Sequence, residues 1–157
     1  LANQSDVRYR LGQALSVLGR QAEARGEWTA AAEIRGDFQG MSVRKYSEMT
    51  YYSALALRAL GRESEAEDLL NSLLSYAMEL DTAPAKIDYF ATSLPAMLLF
   101  NEDIQFSQKT AALFLQAQAH TGLGRLEEST RLLDTVLDRD PNHVLATMFL
   151  QEVSHAA

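Results

Sequence analysis

The sequence contains no cysteine, which excludes disulfides, thiolate metal centres and a cysteine nucleophile while leaving the compartment open. Proline occurs three times and glycine eight times in 157 residues. So few breakers argue against sandwiches and barrels, which need many turns. No apolar run approaches the roughly 18 residues of a membrane span, the longest being of the kind Ala96-Met97-Leu98-Leu99-Phe100. Basic residues are outnumbered: 14 Lys and Arg stand against 21 Asp and Glu, a formal net charge of −7. A field of that sign repels phosphate backbones and anionic lipid, so neither nucleic acid nor a membrane is the expected partner. The chain opens Leu1-Ala2-Asn3 without a methionine or a basic-then-apolar leader. It reads as a piece of a longer protein, with the cytoplasm as the expected compartment.

What is abundant is Ala, Leu, Glu, Gln and Arg, the residues of helices, and a hydrophobic content of 47% suffices for a core. An all-α chain forming a single domain over 1–157 is expected. One phrase occurs three times: Leu18-Gly19-Arg20, Leu60-Gly61-Arg62 and Leu123-Gly124-Arg125. Four residues past each glycine stands Glu23, Glu65 or Glu128, followed by a small residue, Ala24, Ala66 or Ser129. Seven residues before it the side chain is again minimal (Gly12, Ala54, Ala117), and nine after it comes Trp28, Leu70 or Leu133. This is a helix, a left-handed glycine turn and a second helix. Small residues mark where the two helices approach most closely, and the large ones fill the space beside them. The glutamate complements the positive end of the second helix dipole.

With Leu11-Gly12 and the closing Asp138-Arg139-Asp140-Pro141-Asn142, these spacings resemble the tetratricopeptide repeat. The resemblance implies a right-handed superhelix of antiparallel helix pairs: about three pairs, an inserted helical segment and a C-terminal capping helix. Units are expected at about 5–36, 45–79 and 108–141, the insert at 80–103 and the cap at 141–154. Individual helices are expected near 5–18, 21–35, 43–60, 63–79, 85–93, 102–121, 126–139 and 141–154. Asn101 is the expected N-cap of the sixth, and Pro141 the expected first residue of the last. The pattern departs at Gly36, Met78 and His120. The turn glycines are 42 and 63 residues apart against a family period of about 34. Extra chain therefore lies around Gly36 to Ser42, where Gly-Asp-Phe-Gln-Gly reads as a loop, and between Glu79 and Asp103, where Pro84 and Pro95 forbid one continuous helix.

Lys86-Ile87-Asp88-Tyr89-Phe90 and Ser93-Leu94-Pro95, set between two units, are similar to a large group of bacterial proteins of unassigned activity. In that group a β-rich N-terminal domain precedes tetratricopeptide repeats, and the likeness covers about 42–150. It implies a binding scaffold for a protein or peptide, another domain of the same polypeptide included, with self-association as a further partner class. The alternative is the accessory domain of an enzyme, one handling carbohydrate, whose catalytic domain is elsewhere.

In the repeat family the first helix of each pair lines the concave face. Carried onto this sequence, that implies Tyr9, Tyr51 and Phe114, then Gln13, Leu55 and Gln118, with Asp6, Glu48, Arg58 and Thr121 around them. Aromatic rings with amide and charged neighbours suit a peptide. The alternative is that the rings pack on a neighbouring repeat or on the insert. A clamp for terminal carboxylates, which uses lysine and asparagine there, is not expected.

No catalytic group, cofactor or metal is expected. His120, His143 and His155 lack companions at ligand spacing, and no glycine-rich phosphate loop follows a strand. Glu127-Glu128 and Glu102-Asp103 stand at helix starts, where the dipole explains them. Asp88, between Lys86 and Tyr89, reads as a structural ion pair or cap. Arg20, Arg62 and Arg125 each read as serving their own turn.

Overall fold

A computed structural model describes residues 3–34, 36–39, 42–85 and 103–156. Among them the chain is helical except for one short hairpin. The elements are α1 (Ser5–Val17), α2 (Gln21–Glu33), β1 (Asp37–Gln39), β2 (Ser42–Arg44), α3 (Met49–Ala59), α4 (Glu63–Thr82), α5 (Ile104–Gly122), α6 (Leu126–Arg139) and α7 (Val144–Ala156).

The three repeated phrases form one turn three times. Gly19, Gly61 and Gly124 have φ of 76°, 78° and 77°, a left-handed conformation that costs glycine little. The N–H of the following arginine donates to Leu15, Leu57 or His120 O at 2.9 Å. The glycine N–H donates to Ser16, Arg58 or Thr121 O at 3.0, 2.8 and 3.0 Å. These bonds satisfy carbonyls left over at the end of each first helix. Arg20 and Arg62 then grip Glu23 and Glu65 with two bonds each, of 2.5 to 2.7 Å. The third turn differs, because Glu128 pairs with Arg131 instead.

The small positions do what the pattern requires. Ala24, Ala66 and Ser129 are fully buried, as are Ala54, Ala117, Leu70 and Leu133. Gly12 lies so close to Trp28 that a methyl group added to it would stand 2.4 Å from the indole nitrogen. Each helix packs on the next along the chain, and the first helices of the pairs touch in succession, α1 on α3 and α3 on α5. Between the second and third units, Gly122 sits against Leu70, whose methyls a Cβ would meet at 2.6 Å. Across the same junction Arg58 donates to the Gly122 carbonyl at 2.5 Å.

Several expected boundaries move. α3 begins at Met49 rather than near residue 43, because residues 42–44 pair antiparallel with 37–39, Phe38 opposite Val43. Residues 37–39 of the expected Gly36–Ser42 loop therefore form a strand, and Ser42 opens its partner. Ser47 then starts α3, accepting from Met49 N–H at 3.2 Å. α4 continues to Thr82, three residues into the expected insert. The helix expected at 85–93 lies outside the described residues, apart from Ala85. The cap of α5 is Asp103, not Asn101: its carboxylate accepts from Phe106 N–H at 2.9 Å. Pro141 precedes α7 by three residues instead of opening it. His143 Nδ1 caps that helix, accepting from Ala146 N–H at 3.0 Å.

Candidate functional site

α1, α3 and α5 turn one common face toward α7, and the residues singled out in the sequence divide on it into buried, bridging and accessible groups. Tyr51 and Phe114 are 7% and 2% exposed. Both lie edge-on to Phe149 of α7, with ring centroids 5.1 and 5.9 Å away. Leu55 packs partly buried against the same core. Arg58 bonds Glu63 at 2.7 Å as well as the Gly122 carbonyl, and Thr121 shares a 2.7 Å hydroxyl bond with Ser129. Those two side chains link helices. Tyr9 is half-buried beside Tyr52, centroids 6.3 Å apart, and its hydroxyl accepts from the exposed Gln13 at 2.9 Å.

Glu48, Phe114 and Gln118 come together in a cleft of about 50 Å³ running beside α7. Phe114 and Gln118 form its base, and Met49 and Tyr52 of α3 form one wall. Leu145 and Met148, 46% and 54% exposed, form the other. Asp6, Glu48, Glu152 and Arg10 line it too. Arg10 bonds Glu152 at 2.6 Å and the Tyr52 hydroxyl at 3.3 Å, with its guanidinium 5.4 Å from the Tyr52 ring centre. Of the three carboxylates in the lining, Glu152 is the one that bonds this guanidinium.

Gln118 is the least satisfied member. It is 2% exposed, and its Nε2 donates to the Glu48 carbonyl at 3.3 Å, while Oε1 has no hydrogen-bond partner. A buried acceptor left unmet is costly. The hydroxyls of Tyr9, Tyr51 and Tyr52 are held above the ordinary phenol range, first by burial and further by the negative charge of Glu152.

Three wider hollows lie away from this face: one of about 630 Å³ over α4 at Tyr76 and Ser72, one of the same volume between the end of α4 and the start of α5, and one of about 520 Å³ at the third glycine turn. The first two contain no unmet buried side-chain atom, and the third includes His120, whose Nδ1 has no partner. Among the described residues no cluster of His, Asp and Glu could hold a metal ion, and no helix is long and apolar enough to cross a membrane. No protein-family model matches the chain, and no solved structure matches it.

Sequence reasoning reached Glu48, Phe114, Gln118 and Asp6 but missed Arg10, Met49, Tyr52 and every residue of α7 in the cleft. Tyr52 could have been suspected as the neighbour of Tyr51. The α7 residues carried no such signal, because an apolar stripe shows that a helix packs without showing where.

Proposed function

We propose that this chain is a tetratricopeptide-type helical-repeat module, wound as a right-handed superhelix, that binds a segment of another protein along the face shared by α1, α3 and α5. Three equivalent glycine turns with small-on-large crossings support the repeat reading. A stack of this kind presents a continuous surface. The observation that carries the binding role is the cleft beside α7, where exposed apolar side chains adjoin a buried acceptor without a partner. Recognition sites combine apolar walls with a few fixed polar groups in this way.

Selection of random twelve-residue peptides on the immobilised chain tests it. A shared motif should be enriched, and a synthetic peptide bearing it should lose at least tenfold in affinity for Met148→Arg, which crowds the cleft from an exposed position. Absence of enrichment over bare support, or equal binding by that variant, overturns the proposal.

A further inference from the structure

We infer that the cleft between α7 and the shared face receives a basic side chain, lysine in preference to arginine, displayed by the protein segment that the module binds. This rests on the binding role proposed above and specifies its ligand. The argument begins with hydrogen-bonding capacity. Gln118 Oε1, on a side chain 98% buried by its 2% exposure, can only accept, and nothing donates to it. Asp6 also only accepts when ionised, and the Glu152 carboxylate is taken up by Arg10, the cleft's guanidinium, which is bonded to Tyr52 as well. A ligand complementary to this set brings donors and positive charge. An anionic or acceptor-rich ligand would leave the amide oxygen unmet and meet like charge.

The walls then narrow the choice. Met49 and Met148 are unbranched, flexible apolar side chains suited to lie along a methylene stem, and Leu145 adds apolar surface beside them. Lysine has such a stem of four carbons, ending in an ammonium with three donors that can be divided between an amide oxygen and carboxylates. A space of about 50 Å³ suits that compact head better than the planar guanidinium fork. One wall belongs to α7, so the receptor exists only while that helix is docked.

The test uses the full chain and the peptide motif enriched by the selection. The motif should contain a lysine whose replacement by norleucine weakens binding at least tenfold, by arginine severalfold, and by glutamate beyond detection. Titration of ¹⁵N-labelled protein should shift the Gln118 side-chain amide. Gln118→Leu should cut the preference for lysine over norleucine severalfold, leaving the part that the carboxylate supplies. Should that variant melt early, Asp6→Asn at the edge of the cleft serves instead, with a severalfold loss for the lysine peptide alone. A motif without a basic residue, or norleucine binding as well as lysine, overturns the receptor and leaves the module intact; no motif at all overturns both. Free n-butylamine binding as tightly as the peptide would refute a peptide source for the cation.

Discussion

Substituting Gly12 by alanine tests the crossing of α1 over α2 at the one unit where its chemistry differs. The added methyl would stand 2.4 Å from Trp28 Nε1, 2.5 Å from Cδ1 and 3.0 Å from Cε2, against an ordinary contact of roughly 3.5–4.0 Å. The indole is rigid and is tied by its N–H to the Tyr9 carbonyl at 3.3 Å, so the helices must part by about an ångström. Overpacking of this kind costs about 1–3 kcal/mol, and the better helix propensity of alanine returns about 1 kcal/mol. A net loss of at most about 2 kcal/mol is expected, which for a chain of this size lowers Tm by up to about 8 °C. Trp28→Leu alone should cost about 2–3 kcal/mol by leaving a void. The double variant Gly12→Ala, Trp28→Leu reproduces the pairs Ala54 with Leu70 and Ala117 with Leu133, all four fully buried. It should be more stable than the sum of the singles by about 1–2 kcal/mol. Urea unfolding followed by far-ultraviolet circular dichroism measures the cycle. Strict additivity would refute the equivalence of the three crossings.

Phe149→Ala should release α7 rather than unfold the chain: amide exchange in α7 accelerates while the amides around the buried Leu70 and Leu73 keep their protection, and uniform loss would contradict this. His143→Ala removes the Nδ1 acceptor at the start of α7 and a ring 5.0 Å from Phe114, so calorimetry should show a loss of about 1 kcal/mol. His120 is held below the ordinary imidazole range, first by burial and then by Arg125. The unfolded chain therefore takes up that proton first, and stability attributable to His120 falls as pH drops below about 6.5. His120→Phe should flatten the dependence of the urea midpoint on pH there, and an unchanged slope would reject the assignment.

The turns were legible because a left-handed glycine followed by an arginine and a helix leaves a local signature that needs no partner. The crossings were legible for the same reason, since size at Gly12, Ala54 and Ala117 is a direct demand of helix spacing. Boundaries failed where pairing between neighbouring segments intervened. Residues 42–44 could have begun a helix, but their backbone groups pair with 37–39. Asp103 took the cap expected of Asn101, and His143 caps a helix expected to open at Pro141, choices among nearby residues that propensity does not resolve. In the cleft, Gln118 could be placed on the correct helix face by its distance from the turn. Its unmet oxygen arises only when Glu48, seventy positions away, occupies the amide.

The junction of the second and third units depends on a missing methyl at Gly122 and a guanidinium that reaches the same residue's carbonyl. Alignment of these units is thereby written into the helices themselves. Sliding α5 along α4 by a helical turn would take the bare backbone away from the Leu70 methyls and the carbonyl away from Arg58 in one movement. The seam thus has a single register, enforced at one residue by size and by hydrogen bonding together.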